Sequence, residues 1–148
     1  MYKSILVATD GSELGKLAVT QAAALAAAFA AKLTVLTVTL QATSYDATGL
    51  GFPLPQSVFD DIRKANDEQS RTILSDAVAG LAYEAKTVTI EAGTAAEGIV
   101  DTVRSLGCDL VVMGSHGHRG LDRLILGSQA AKVLTLSPVP VLIVKQAP

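Results

Sequence analysis

The 148-residue chain has one cysteine, no tryptophan, five prolines and six aromatic residues in all. Cys108 stands alone, so no internal disulfide can form, which fits a reducing compartment. A chain of this length suits a single domain, residues 1–148. It buries roughly two-thirds of its unfolded surface, so it needs neither metal nor disulfide as a staple. Long apolar runs are also missing. The longest, Ala22 to Ala31, is ten residues and mostly alanine, against about twenty for a membrane span. Met1–Ser4 leads straight into Ile5-Leu6-Val7-Ala8, too short a stretch for a signal peptide and without a cleavage site. A cytoplasmic protein without membrane insertion is the expectation. Charge of one sign is scarce too: 12 basic and 14 acidic residues give a net charge of −2, and no block of five like charges occurs. With scattered aromatics and no basic cluster, nucleic acid is excluded as an expected partner.

What is present is an alternation of strand-like and helix-like segments. Residues 4–9 read as a short buried strand, broken by Asp10-Gly11-Ser12. Residues 13–31 are rich in alanine and leucine, strong helix formers, with Leu14, Leu17, Ala18, Leu25 and Phe29 as the expected buried stripe. Leu33 to Leu40 alternates threonine with Val and Leu, a strand composition. Residues 41–56 hold Gly49, Gly51, Pro53 and Pro55 and read as a long loop, with Tyr45 and Phe52 able to cover a ligand. Ser57 and Asp60 then suggest a capping box, followed at helical spacing by Val58, Ile62, Ala65, Ile73, Ala77 and Leu81. Thr87–Glu91 reads as a strand. Thr94 and Glu97 form a second capping box, and Gly107 ends that helix. Leu110–Met113, a helix over 128–136 and a strand over 139–144 complete the chain. Near-continuous apolar strands joined by helices predict an α/β fold: a Rossmann-like, open five-stranded parallel sheet with helices on both faces. Right-handed crossovers favour the order 3-2-1-4-5. The chain then reverses between strands 1 and 4, where ligands of such sheets bind. Asp10-Gly11-Ser12 and the run from Gly114 should meet there.

That run reads Gly114-Ser115-His116-Gly117-His118-Arg119-Gly120, with Gly127 and Ser128 following, a G-x2-G-x9-G-S pattern. Glycines leave backbone amides bare for close approach by a ligand. Ser128 is placed to N-cap the last helix, whose first-turn amides at Ser128, Gln129 and Ala130 would address an anion. A phosphate chain is the natural guest. Competing phosphate motifs are absent: there is no G-x4-G-K-[ST], and Gly11 and Gly15 do not make G-x-G-x-x-G. His116 and His118 sit on alternate residues of a tight loop without a Cys or Glu cluster, a poor metal pair. Cys108, between a helix end and a strand, reads as a small buried hydrophobe. Ser128 lacks the partners of a hydrolase nucleophile.

The segments "ILVATDGSE", "DLVVMGSHG", "GLDRLILGS" and "PVPVLIVK" together resemble the universal stress protein family over nearly the whole chain, and the glycine pattern is the signature of its ATP-binding branch. The resemblance implies that Asp10 contacts the adenosine end or a water-bound metal. It implies that Ala8 and Val38 line the adenine slot, that Met113 and Gly114 contact ribose, and that Gly117, Gly127, Ser128 and Gln129 hold the phosphates; His116, read from its place in the loop, either flanks that groove or is exposed to solvent. The cofactor expected is ATP with Mg2+. Two departures stand out: Gln129 replaces a small aliphatic residue, a contact made through the backbone, and His118 replaces an arginine, whose role Arg119 or Arg123 could take. The resemblance also implies a homodimer through the last strand, which the apolar Val139, Val141 and Ile143 support. The function expected is that of a nucleotide-dependent regulatory module in stress response, acting on an unidentified protein partner, with at most slow ATP hydrolysis and no catalytic residue assigned. The alternatives are a nucleotide-free dimeric interaction module and a slow ATPase.

Overall fold

Five strands alternate with four helices in a computed structural model that describes residues 1–41, 55–118 and 126–146. The strands are β1 (Ser4–Ala8), β2 (Lys32–Leu40), β3 (Ala85–Ala92), β4 (Leu110–Gly114) and β5 (Val141–Val144). The helices are α1 (Glu13–Phe29), α2 (Gln56–Val78), α3 (Ala95–Leu106) and α4 (Ser128–Leu136). All strand pairs are parallel and the order is β3-β2-β1-β4-β5, as the alternation predicts. Tyr45, Phe52, Gly120, Arg119 and Arg123 lie outside the described residues.

Period-two geometry divides the core. Ile5, Val7, Leu33, Val35, Leu110 and Val112 pack on one face with α1 and α2. Leu6, Leu36, Val111 and Met113 pack on the other with α3 and α4. Central β1 is sealed on both sides, and Ile5, Leu6 and Val7 are each 0% exposed. Burying each contributes roughly 1.5–3 kcal/mol. The N-terminal end of β1 is tied down by Asp109, whose carboxylate accepts the Lys3 amide at 2.7 Å and the Ser4 amide at 3.0 Å. Cys108 is buried, and the Ser4 hydroxyl donates to its sulfur at 3.6 Å. Burial pushes its thiol pKa up; the Ser4 bond opposes this and the Asp109 charge adds to it.

Local chemistry departs from the sequence pattern in several places. The buried stripe of α1 is built from Leu14, Ala18, Val19, Ala22, Ala23 and Ala26, with Leu25 and Phe29 packed partly against the same core; its mostly small residues let the helix approach the sheet closely, while Leu17 is 37% exposed. Ser57 and Asp60 form no capping box. Val58 and Phe59 donate to the Pro55 carbonyl, so α2 starts before Ser57 and carries no side-chain cap. Ser70, Leu74 and Ala77 are the buried residues of α2, whereas Val58 and Ala65 are exposed and Leu81 follows the helix. Thr94 does cap α3, accepting the Glu97 amide at 3.2 Å, and Gly107 ends α3 in the left-handed region. At the sheet edge Val139, Val141 and Ile143 pack partly onto the α3/α4 face, and the exposed side chain of β5 is Leu142. Among the described residues no helix is long and apolar enough to cross a membrane.

Candidate functional site

The carboxyl ends of β1 and β4 lie side by side, with Ala8 opposite Met113, and the turns that leave them converge. After β1 the chain turns sharply. The Thr9 hydroxyl accepts the Gly11 amide at 3.2 Å, Asp10 Oδ1 accepts the Ser12 amide at 3.0 Å, and Gly11 takes φ +82°. Ser12 then caps α1, accepting the Gly15 amide at 3.1 Å. Asp10 is thereby fixed at the mouth of the crevice, with its other oxygen, Oδ2, accepting the His118 amide at 3.0 Å. Burial pushes the Asp10 carboxyl up, but hydrogen bonds from the Ser12 hydroxyl and amide and from the His118 amide, with the charge of the His118 ring, outweigh it. The group is held below the ordinary carboxylate range.

The glycine positions are set by close approach. A Cβ on Gly117 would collide with Asp10 Oδ2. One on Gly127 would meet the Ser115 carbonyl oxygen at 3.0 Å and the His116 Cα at 3.2 Å. The same approach brings the Gly127 amide to the Ser115 carbonyl at 2.7 Å. His116, half-buried, pairs its Nδ1 with the Ser115 hydroxyl at 3.1 Å. Gly114 ends β4 against Leu14 of α1.

Ser128 is not the N-cap of α4. Gly127 is, since it has extended backbone and its carbonyl accepts the Ala131 amide at 2.9 Å, and it brings no side chain to the helix end. The amides of the first turn, at Ser128, Gln129 and Ala130, are thus left without a side-chain cap at the positive end of the helix dipole. The Gln129 side chain points away to α3, where its Oε1 accepts the Ala96 amide at 3.0 Å.

Val38 stands where β2 outruns β1. Thr9 donates to the Leu36 carbonyl at 2.9 Å and Gln41 to the Ala92 carbonyl at 3.0 Å. Successive residues of a parallel strand address opposite neighbours. The Val38 amide and carbonyl therefore face the space past the end of β1, with no backbone partner among the described residues. Its side chain, with Ala8 and Met113, lies on the α3/α4 face, where Gly98 lets α3 close on it: a Cβ there would come within 2.9 Å of Val38 and Ile90.

All ten residues singled out from the sequence lie at the carboxyl ends of β1, β2 and β4 or the first turn of α4. The sequence reading brought the segments of Ser12, Ser115 and His118 to this place but assigned none of the three a bond within the cluster. Ser12 carried a signal in the Asp-Gly-Ser turn before a helix; His118 carried none, because its partner lies 108 positions away. Among the described residues no group of three or more His, Cys, Asp or Glu could hold a metal ion.

Comparison with known proteins agrees with this architecture. Universal stress protein YxiE of Bacillus subtilis is 35% identical, across 98% of this chain and 100% of its own length. A universal stress protein of Thermus aquaticus is 33% identical, across 98% and 100%. The solved structure of the protein MJ0577, whose sequence is from Methanocaldococcus jannaschii, superposes with a TM-score of 0.82 at 26% identity, covering 100% of this chain and 99% of that one. A universal stress protein solved in complex with cAMP superposes with a TM-score of 0.70 at 27% identity, covering 99% of each chain. The sequence model of the universal stress protein family matches residues 1–145, and the chain belongs to that family.

Proposed function

We propose that the chain binds an adenine nucleotide, ATP with Mg2+, in the crevice between β1 and β4, and works as a nucleotide-dependent regulatory module in stress response. The observation that carries this reading is the first turn of α4: three amides without a side-chain cap, beside Gly117, where a Cβ would collide with Asp10, and Gly127, where one would crowd Ser115 and His116. Such a helix end favours anions, and a phosphate chain supplies them. The residues suit the rest of the ligand. An adenine edge offers one acceptor and one donor, which the Val38 amide and carbonyl complement, while Ala8, Val38 and Met113 offer an apolar floor. Mg2+ would travel on the phosphates, with Asp10 the acidic group at the crevice mouth, because this ion keeps most of its water and rarely uses an all-protein cage. A relative that takes cAMP, itself an adenine nucleotide, supports the base assignment.

The reading gives no residue the task of orienting a water for attack, so turnover of ATP is expected to be slow at most. The chain is expected to pair as a homodimer through β5 and Val139 just before it, where Val139, Val141 and Ile143 are apolar and partly exposed and Leu142 is exposed. Regulation requires the two states of the glycine loop to differ in affinity for the nucleotide.

Calorimetric titration with ATP, ADP, AMP and cAMP, with and without Mg2+, tests the proposal. Saturable binding of ATP that Gly127→Val abolishes supports it. No binding by any of the four, or binding that Gly127→Val leaves untouched, overturns it.

A further inference from the structure

Helix α2 runs for 23 residues, yet its buried residues, Ser70, Leu74 and Ala77, all fall within its last nine. Residues 56–69 contain none: Phe59, Ile62 and Asn66 are half-buried and the rest of this half of the helix is exposed. It carries Asp60, Arg63, Lys64, Asp67, Glu68 and, one turn further on, Arg71, which line one shallow groove. Their spacing of three and four residues sets them in a single stripe along the helix.

The stripe is antisymmetric. About a point between residues 65 and 66, every charge reflects onto its opposite: Asp60 onto Arg71, Arg63 onto Glu68, Lys64 onto Asp67. Charges at this spacing often pair along their own helix. Here they do not: the ion pairs within 4.0 Å among the described residues are Lys16–Glu13 and Arg104–Asp101, on other helices.

We propose that this face of α2 docks on the same face of a second copy of the chain, antiparallel, about a two-fold axis passing between residues 65 and 66. Three acidic and three basic groups sum to zero, so the stripe offers no net attraction to a nucleic acid or an acidic peptide. A second copy turned by 180° presents the opposite charge at every position, and each of the three pairings occurs twice. The face is short. Sixteen helical residues, 56–71, span about 24 Å, and an interface of that size is weak and transient. It is also salt-sensitive, since exposed pairs are screened once the Debye length falls from about 10 Å at 0.1 M to about 3 Å at 1 M salt. Because α2 covers β2 and β3, the contact lies at the opposite end of the sheet from β5. Together with pairing through β5 it would link copies into open arrays rather than closed dimers. The inference does not depend on nucleotide binding.

The test uses three proteins: wild type, the variant Asp67→Lys/Glu68→Lys, and the variant Arg63→Glu/Lys64→Glu. The first variant makes the centre of the stripe wholly basic and the second wholly acidic, so each repels its own copies and attracts the other. Sedimentation equilibrium in 0.1 M salt should show wild type associating one step further than either variant. An equimolar mixture of the two variants should regain that step, and 1 M salt should weaken it at least about tenfold. Circular dichroism checks that each variant is folded. A charge pattern that merely stabilises the isolated helix would lower helicity in the variants, and mixing would restore nothing. Equal masses for wild type, both variants and the mixture, or a mixture that behaves as the sum of its parts, overturns the proposal.

Discussion

Asp10 and His118 are tied twice. The Asp10 carboxylate accepts the His118 amide at 3.0 Å, and His118 Nε2 lies 3.0 Å from the Asp10 carbonyl oxygen. A carbonyl oxygen only accepts, so Nε2 carries the proton. The turn after β1 and the loop after β4 are thereby locked at the crevice mouth, and Gly117 fits between them because it has no Cβ. The same two segments would have to hold the two ends of a nucleotide, which makes this tie the place to test the site.

Gly117→Val should drive a branched side chain into the Asp10 carboxylate and force the loop off the turn. Gly117 is exposed, so the fold has little to lose there. The expected result is at least a tenfold loss of ATP affinity by calorimetry, about 1.4 kcal/mol, with a melting temperature within a few degrees of wild type. Asp10→Asn keeps the shape of the turn and should lose less affinity than Gly117→Val. A Gly117→Val protein that binds ATP as well as wild type would place the ligand elsewhere.

Stability should fall with acid at an identifiable pair of carboxylates. Asp10 and Asp109 are each pushed up by burial, and each is pulled further down by the amides it accepts, so both titrate below the ordinary carboxylate value of about 4. The folded state therefore binds protons at these groups less readily than the unfolded chain. Their stabilisation is complete above pH about 4 and is lost as the pH falls through their lower folded values. Urea midpoints measured from pH 6 down to pH 3 should drop, and Asp109→Asn should flatten that drop while lowering the plateau. A midpoint that holds steady through this range would contradict the assignment.

Much of the fold was legible because strands buried on both faces need continuous apolar runs, and Ile5–Ala8 and Leu110–Met113 supply them between helices with recognisable ends at Thr94 and Gly107. The packing face of α1 was legible only in part: Leu14 and Ala18 are buried and Leu25 and Phe29 pack against the core, but Val19, Ala22, Ala23 and Ala26 went unmarked. In an alanine-rich helix nearly every position is apolar, so periodicity carries little information. The larger Leu17 drew the stripe toward itself, while the structure uses the small residues for close approach. At the site, glycine spacing marked the loop after β4, here proposed to hold phosphates, through a purely local pattern. The roles within it depended on partners far along the chain: the Gln129 side chain serves α3, Gly127 rather than Ser128 begins α4, and His118 reaches back to Asp10. No local pattern records such pairs.

Ala22→Leu tests the close approach of α1. Ala22 is 0% exposed and sits in the core with Ile5, Val7 and Val112. Three added carbons have no space, and overpacking of this kind typically costs about 1–3 kcal/mol. Leu17→Ala, at a residue 37% exposed on the same helix, should cost less than Ala22→Leu. Chemical denaturation of both variants compares them directly. Equal stability would mean that the helix face is assigned wrongly.

Gln129 separates stability from ligand binding. Its Oε1 accepts the amide of Ala96, a residue wholly buried in the first turn of α3, so Gln129→Leu leaves a buried donor without a partner. The expected cost is about 1–2 kcal/mol, a drop of several degrees in melting temperature, with nucleotide affinity nearly unchanged because the proposed contact would run through the backbone. Gln129→Glu should do the reverse. A carboxylate keeps the acceptor and suits the positive end of the α3 dipole, so stability should hold. It also adds a negative charge at the first turn of α4, beside the amides assigned to the phosphates, so ATP affinity should fall more than AMP affinity as the phosphate charge grows. Thermal melts and calorimetric titrations on the two variants check both halves. If Gln129→Glu binds ATP as tightly as wild type, the phosphates do not sit at the start of α4.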